Sequence, residues 1–326
     1  MNQEQDPFQI ISVQKIWDQA LHNAFTDLVF FQKTWFCTFR EAEKHVHGPN
    51  GVIRIIASKD GVEWFSIAVI EEPGVDLRDP KLCETPDGRL MLLAGGSVYD
   101  EDHDFVNRQP RVSFSSDGIA WSPFTVILEP GEWLWRVTWH QGKAYGVSYR
   151  NSDPLDQKSE WLLTLFESND GLSFNICASW DIPGHPNETT LRFLPTGKMM
   201  ALVRRDRLKG DTTSDESAWI GISDFPYINW SWHSPAVYFG GPNFLILDDG
   251  SMWAAGRVFV KEGKKKNPKT MLARLALDKI TPVIILPSGG DTSYPGMVYH
   301  DGELWISYYS SHDEKAAIYL AKLKRL

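Results

Sequence analysis

The feature that most constrains this fold is a glycine turn that recurs along the chain at a nearly constant interval. Each turn lies between two apolar runs, and the intervals are 54, 55, 53 and 52 residues for Gly88, Gly142, Gly197, Gly250 and Gly302. A similar pair of apolar runs flanks Lys33, one interval before the first glycine. A period this long is typical of repeat architectures, whose units bury their apolar faces against one another.

Each period contains four short runs rich in Val, Ile, Phe and Trp. In the first unit these runs are residues 27–31, 34–39, 52–57 and 64–70. Helical spacing is confined to one weak candidate, residues 13–21. Four strands in a unit of about 40–55 residues predict a propeller blade. We therefore expect an all-β chain, one six-bladed β-propeller domain with four-stranded blades over residues 1–326.

The last unit has only three such runs. The apolar residues of segment 8–16 can supply its missing outer strand. We expect this N-terminal strand to close the ring, since closure removes sheet edges that would otherwise promote aggregation.

A second motif, Ser-x-Asp-Gly-x-x-aromatic, begins at Ser58, Ser115 and Ser168, with a degenerate copy at Ser223. The Asp and Gly shape a tight turn, because the Ser and Asp side chains bond to the local backbone. We expect these turns on the face away from any ligand, and we assign them no catalytic role.

Composition excludes several functional classes. The net charge of −9 disfavours nucleic acid, which requires clustered cations, and we interpret the basic run at residues 261–269 as a solvated loop. The N-terminus lacks a signal peptide and no apolar window is long enough to span a membrane, so we expect a cytoplasmic protein without membrane contact. Three distant cysteines and scattered Asp and His residues show no metal-binding spacing, so we expect no metal and no cofactor. The oligomeric state stays open.

The turn glycines allow the opposite face, around the central channel, to be located by counting. Seven residues after each turn stand Arg40, Gly95, Tyr149, Arg204, Arg257 and Tyr309. At the entries of the first strands stand Asp27, Asp79, Arg136, Glu188, Asn243 and Tyr294. Guanidinium groups that converge in this way suit a planar anion, because their fork matches a carboxylate. Four polar insertions after second strands, residues 97–110, 151–160, 206–217 and 261–269, would surround the same mouth.

On these residues the chain resembles the sialidase (neuraminidase) superfamily, over nearly its whole length. The resemblance includes six blades and repeated Asp-box (BNR) turns. In that family a glutamate at a strand entry precedes an arginine by sixteen residues, as Glu188 precedes Arg204. Arg257, in "DDGSMWAAGR", matches a further family arginine, and Tyr294, in "SYPGMVYHDGELWISYY", matches the family tyrosine.

The resemblance implies retaining glycoside hydrolysis with Tyr294 as nucleophile and Glu188 as the base that takes its proton. The arginines would bind the carboxylate of an acidic sugar. We assign substrate contacts to these positions: Arg40, Arg78, Asp79, Arg204, Arg257, Tyr149 and Tyr309. Arg205 should point away from the site because side chains alternate along a strand.

The first blade departs from the family pattern. The stretch "HNAFTDLVFF" carries no arginine, although Arg40 matches a second family arginine. The position of the acid/base aspartate holds His45, with Glu41, Glu43 and His47 nearby, and histidine can perform acid–base work. The incomplete arginine set leaves the sugar open among sialic, other ulosonic and uronic acids.

Two other functions remain open. The Arg-Asp-Pro of residues 78–80 resembles a motif of fructan- and arabinan-cleaving propeller glycosidases, whose three carboxylates Asp27, Asp79 and Glu188 could supply. A non-catalytic carbohydrate-binding propeller is the third candidate, because the fold alone decides no function. Only the hydrolase with a tyrosine nucleophile requires the Tyr294 and Glu188 oxygens to lie within hydrogen-bonding distance.

Overall fold

The structure, a computed structural model, describes residues 8–46, 48–153, 159–207 and 215–326. These residues form 24 β-strands in six antiparallel sheets of four strands each. This arrangement confirms the predicted all-β, six-bladed propeller. The candidate helix at residues 13–21 is strand as far as Trp17. Across the described ranges, no helix is long and apolar enough to cross a bilayer.

The blades follow one another along the chain, and each runs from an innermost to an outermost strand. Blades 1 to 3 are β2 (His22–Phe31), β3 (Thr34–Ala42), β4 (Val52–Ser58), β5 (Phe65–Ile70); β6 (Asp76–Glu84), β7 (Leu90–Tyr99), β8 (Phe105–Ser115), β9 (Thr125–Val126); and β10 (Trp133–His140), β11 (Lys143–Asn151), β12 (Trp161–Ser168), β13 (Phe174–Trp180). Blades 4 and 5 are β14 (His185–Phe193), β15 (Met199–Asp206), β16 (Trp219–Ser223), β17 (Ser231–His233); and β18 (Gly240–Ile246), β19 (Met252–Glu262), β20 (Lys265–Leu275), β21 (Ile280–Ile285).

The sixth blade joins the two ends of the chain, as predicted. Its inner strands are β22 (Thr292–His300), β23 (Glu303–Ser310) and β24 (Ala317–Arg325), and its outer strand is β1 (Phe8–Trp17). The β1–β24 pairing runs from Phe8 opposite Arg325 to Trp17 opposite Ile318. Backbone hydrogen bonds between distant parts of the sequence therefore close the ring.

The six innermost strands, β2, β6, β10, β14, β18 and β22, contact one another in sequence around the axis. The apolar core lies between neighbouring blades. At the closure, Trp35 of blade 1 stacks on Trp305 of blade 6 with ring centroids 3.9 Å apart. Such flat aromatic faces fill the wedge between two twisted sheets.

The Ser-x-Asp-Gly turns connect third to fourth strands. In the first, Ser58 Oγ accepts from the Gly61 amide at 2.8 Å, and Asp60 accepts from the amide of Val62 at 2.8 Å. Gly61 has a φ of +69°, and a Cβ there would lie 2.0 Å from the Trp305 ring. Glycine is required on both counts, because the turn is left-handed and packs directly against the preceding blade.

The basic run at residues 261–269 is not the loop that composition suggested. It forms the tip of the long β19–β20 hairpin, where Glu262 pairs with Lys265 and Lys261 with Lys266. Both faces of this hairpin end are exposed, so charged residues occupy every position of the strands there.

Candidate active site

Each innermost strand carries a β-bulge near its first residue. Two residues of the first strand face a single residue of the second strand at the bulged pairs 25–26, 79–80, 135–136, 187–188, 241–242 and 294–295. A bulge bends the strand and redirects a side chain. The same β-bulge therefore occurs six times around the mouth of the channel.

In four of the bulges the first residue has left-handed backbone. The φ angles are +64° for Phe25, +48° for Asp79, +57° for Gly241 and +52° for Tyr294. Left-handed non-glycine residues cost about 1 kcal/mol or more and concentrate at functional sites. Phe25, Asp79 and Tyr294 all line one cavity.

The bulges also explain two misplaced expectations. Asp27 lies one residue beyond its bulge, is 1% exposed, and binds both Nη atoms of Arg136 at 2.8 and 3.0 Å. Asn243 lies one residue beyond its own bulge and is also buried, accepting from Arg192 at 2.8 Å. Neither Asp27 nor its partner Arg136 lines the cavity, so the three-carboxylate arrangement loses one member.

The centre of the site is a contact between Tyr294 and Glu188. The Tyr294 hydroxyl donates to Glu188 Oε1 at 2.5 Å, which is the contact the sequence analysis required. Arg204 Nη1 donates to Glu188 Oε2 at 2.8 Å and to the Tyr294 oxygen at 3.1 Å. Glu188 is therefore the ion-pair partner of Arg204 as well as the hydrogen-bond acceptor for Tyr294, where the sequence analysis favoured only its contact with Tyr294.

Backbone and rings hold this pair in place. The Gly241 amide donates to Glu188 Oε2 at 2.8 Å, and a Cβ on Gly241 would lie 3.0 Å from the Tyr294 ring. Phe25 and Trp135 pack against Tyr294 at 5.2 and 5.3 Å. Burial, followed by the Glu188 charge, raises the pKa of Tyr294 well above its usual value, so the phenol is neutral at physiological pH.

The arginines expected to face a substrate anion are all engaged by the protein. Arg204 donates through Nε and Nη2 to Asp206 at 3.2 and 3.1 Å. Arg257 donates to Asp291 at 3.0 Å and to the Tyr309 hydroxyl at 2.9 Å. Arg205 points away, as predicted, with its Nε on the carbonyl of Pro183.

Arg40 lies behind the cavity wall. It is 1% exposed, with Nε and Nη2 on Asp76 at 3.0 and 2.6 Å and Nη1 on the Lys44 carbonyl. Arg78 reaches the cavity in its place, held by Asp76 at 3.1 Å and by the His45 carbonyl at 2.8 Å. A buried guanidinium such as that of Arg40 requires a carboxylate partner. Counting along one blade could not identify Asp76 as this partner, because Arg40 lies on β3 of blade 1 and Asp76 on β6 of blade 2.

Asp291 organises a cluster that the sequence analysis missed. It accepts from His45 Nδ1 at 2.7 Å and from the Tyr309 hydroxyl at 2.7 Å, and His22 Nε2 lies 3.6 Å away. Burial raises the pKa of Asp291, but the two neighbouring histidines, the Arg257 charge and the Tyr309 hydroxyl outweigh it and bring the pKa well below its usual range. Tyr309 is 0% exposed, so it supports Asp291 and does not line the cavity.

Ligand atoms of His22, His45 and Asp291 lie within 4.8 Å of one another, which is compatible with a metal ion. The second oxygen of Asp291 already receives hydrogen bonds from Arg257 and Tyr309. A cation there would approach the Arg257 guanidinium, so we assign the cluster to orienting His45. Asp291 lies three residues before Tyr294, directly before β22. The sequence analysis missed it because it considered only one residue at the entry of each innermost strand.

Asp79 is the cavity carboxyl with the fewest partners. Its Oδ1 is buried with no hydrogen-bond partner among the described residues. Burial raises its pKa, while the charges of Lys81 and Arg78 oppose that shift and Glu188 reinforces it. The raised pKa favours the protonated form of this carboxyl over that of an exposed aspartate.

The cavity has a volume of about 500 Å³. On one side it is lined by Tyr294, Glu188, Asp79, Arg78, His45 and Phe25. Its other side is largely aromatic and is formed by Trp133, Tyr149, Trp161 and Arg108. Tyr149 lines the cavity as predicted, whereas Trp133, Trp161 and Arg108 fall outside the positions that were counted.

The other acid/base candidates of the first blade do not line the cavity or are not described. Glu41 bonds to Arg54 and Trp17 away from the cavity, and His47 lies outside the described residues.

Comparisons place this geometry among known structures. No family model matches the chain, and no curated protein matches it. A protein of unknown function from Dyadobacter fermentans is structurally similar, with a TM-score of 0.83 and 17% identity over 98% of this chain and 100% of that one. The α-L-arabinofuranosidase Arb93A of Fusarium graminearum has a TM-score of 0.70 and 16% identity, over 97% of this chain and 98% of its own.

A sialidase of Trypanosoma rangeli is also similar, with a TM-score of 0.70 and 12% identity over 98% of this chain, which spans 59% of the sialidase. Its structures include complexes with the inhibitor DANA and with sialic acid. At these identities the likeness concerns the fold. The chain has the sialidase-like six-bladed β-propeller fold, and its structural neighbours include glycoside hydrolases, among them this sialidase and an α-L-arabinanase of Penicillium chrysogenum.

Proposed function

We propose that the protein is a glycoside hydrolase that releases a terminal acidic sugar with retention of configuration. Tyr294 attacks the anomeric carbon and Glu188 accepts the phenolic proton. The observation that carries this proposal is the 2.5 Å hydrogen bond between these two side chains at the cavity. A simple binding site has no need of a phenol aligned on a carboxylate.

The surroundings of Tyr294 support this role. Its raised pKa keeps the phenol neutral before reaction, so no phenolate repels the carboxylate of the sugar. As the oxygen attacks, its proton passes to Glu188 Oε1, and Arg204 Nη1, 3.1 Å from the oxygen, stabilises the developing negative charge. The left-handed backbone at Tyr294 holds the ring against Gly241 in the required direction.

His45 is our candidate for the acid that protonates the leaving oxygen and then activates water. It lines the cavity, and its Nδ1 is held by Asp291 at 2.7 Å. This leaves the other ring nitrogen, Nε2, for the substrate. A carboxylate that accepts from one ring nitrogen fixes the tautomer and the orientation of the imidazole.

The test is hydrolysis of a panel of aryl glycosides of sialic, other ulosonic and uronic acids. Turnover of one of them, reduced on the order of a thousandfold in Tyr294→Phe and a hundredfold or more in Glu188→Gln, is the expected result. NMR of the first-formed product should show the anomer with retained configuration. Full activity in Tyr294→Phe would overturn the mechanism.

A second function is favoured by one observation, the buried Asp79 Oδ1 that has no hydrogen-bond partner among the described residues, on the same side of the cavity as Glu188. With one protonated and one ionised carboxyl, this pair could cleave a neutral sugar such as arabinofuranose. An aryl α-L-arabinofuranoside therefore belongs in the panel. Its turnover would survive Tyr294→Phe and be abolished by Asp79→Asn, the reverse of the pattern expected for the main proposal. Ligand binding without any turnover would indicate a carbohydrate-binding propeller.

A further inference from the structure

Arg108, on β8, is a cation of the cavity that lacks an acidic partner among the described residues. No carboxylate within the described ranges forms an ion pair with it. Its Nε donates to the Gly131 carbonyl at 3.0 Å and its Nη2 to the Tyr149 carbonyl at 3.5 Å, while Nη1 has no protein acceptor in the same ranges. By contrast, Arg40, Arg204 and Arg257 each bind a protein carboxylate.

Three aromatic rings surround this guanidinium. Its Cζ lies 5.1 Å from the ring centre of Tyr149, 5.7 Å from Trp133 and 5.8 Å from Trp161. Tyr149 and Trp161 stack on one another at 5.0 Å. Rings can satisfy the faces of a guanidinium but not its N–H groups, which prefer a planar anion.

The chain makes room for this arrangement at Gly95. A Cβ on Gly95 would lie 2.2 Å from the Trp133 ring, so glycine is needed for the tryptophan to form part of the wall. Burial lowers the pKa of Arg108, against the effects of Tyr149 and Glu132. The protein thus leaves a partly buried positive charge incompletely balanced, which an anionic ligand would correct.

The aromatic wall and the Tyr294–Glu188 pair belong to one cavity. The charge of Glu188 contributes to a raised pKa of Tyr149, after the larger effect of burial, so the two regions adjoin at Tyr149. If the terminal sugar of an oligosaccharide binds at Tyr294, the next sugar of that oligosaccharide lies beside these rings.

We propose that Arg108, Trp133, Tyr149 and Trp161 form a second sugar subsite, which binds a uronate residue on the leaving-group side of the scissile bond. The sugar ring stacks on the aromatic wall and its carboxylate pairs with the free edge of Arg108. This inference rests on the proposed function for its orientation, because in an enzyme that releases terminal sugars the second residue is the leaving group. The binding itself does not require catalysis.

The first test therefore measures binding in Tyr294→Phe protein, where hydrolysis cannot interfere. NMR titrations with D-glucuronate and with neutral D-glucose should show tighter binding of glucuronate. Adding Arg108→Gln should weaken glucuronate binding about tenfold or more and leave glucose unchanged. Arg89→Gln, at a partly exposed arginine that is paired with Asp87 and does not line the cavity, is the matched control and should bind as the parent does.

Equal binding of the two sugars, no binding of either, or unchanged glucuronate affinity in Arg108→Gln would overturn the subsite. Circular dichroism checks that the variant is folded. A kinetic arm then separates the subsite from the hydrolase proposal. Arg108→Gln should raise KM for a disaccharide with a uronate leaving group and spare the aryl glycoside. Inactive wild-type protein that still shows the binding pattern would refute the hydrolase and retain the subsite.

Discussion

At the scale of single residues, the site depends on how closely Tyr294 approaches its neighbours. Its hydroxyl contacts two charged groups, Glu188 and Arg204, within 3.1 Å, and its ring lies against the backbone of Gly241. The carboxylate accepts a hydrogen bond from the phenol, and the guanidinium donates one to the phenolic oxygen. Displacing the ring by a few tenths of an ångström would weaken both contacts together, because hydrogen bonds depend steeply on geometry.

Gly241→Ala should therefore abolish most activity in a protein that still folds. The added Cβ would lie 3.0 Å from Tyr294 Cδ2, and the φ of +57° adds backbone strain. Gly250→Ala is the matched control, since it has a φ of +78° but no atom within 4 Å of the new Cβ. Both variants should lose about 1 kcal/mol of unfolding free energy, and only Gly241→Ala should lose activity. Equal kcat/KM in the two variants would contradict this account.

At the scale of elements, the Ser-x-Asp-Gly turns tie the third and fourth strands of a blade together. In the third of them Asp170 accepts from the amides of Leu172 and Ser173, both at 2.8 Å. These hydrogen bonds, the Ser173 amide first, lower the pKa of Asp170 to about 2. The turn is thus held by a carboxylate that must stay ionised.

This shift predicts an acid-sensitive contribution to stability. Because the folded pKa lies below the unfolded value of about 3.9, the contribution is complete above about pH 4 and is lost as the pH falls towards 2. Asp170→Asn should flatten the decline of unfolding free energy over that window, measured by urea denaturation at a series of pH values. Leu172→Ala, at an exposed side chain of the same turn that does not titrate, should leave the slope as it is. An unchanged slope in Asp170→Asn would argue against the turn's role.

The same elements explain what the sequence could and could not predict. Five turn glycines and the hairpin at Lys33 identified the six blades and predicted that Tyr294, Glu188 and Arg204 lie together, because turn positions determine which strand ends share a face. The bulges were invisible, since an extra residue leaves no sign in an apolar pattern, and Asp27 was misplaced as a result. Partners from other strands, such as Asp291 for His45 and Asp76 for Arg40, depend on tertiary packing that counting along one strand cannot recover.

At the scale of the whole molecule, stability depends on the β1–β24 pairing that closes the ring. Phe8 and Ile16 of β1 are 1% and 8% exposed. Without β1, the strand β24 would present an open sheet edge. Removal of residues 1–17 should cost about 3–6 kcal/mol from these two side chains alone and promote aggregation. Removal of residues 1–7, before β1, is the control. Thermal midpoint and soluble yield measure the effect, and equal values for both truncations would contradict it.

The Asp27–Arg136 pair has a consequence for the route that a substrate and a product take. Its members belong to the innermost strands of blades 1 and 3, which are not neighbours, so their hydrogen bonds span the axial channel. Both side chains are buried, and Lys81 is buried beside them. These three buried side chains therefore narrow the axial channel between the innermost strands. Under the proposed function, a sugar released at Tyr294 would leave by the mouth of the cavity, where it would compete with the next substrate for entry.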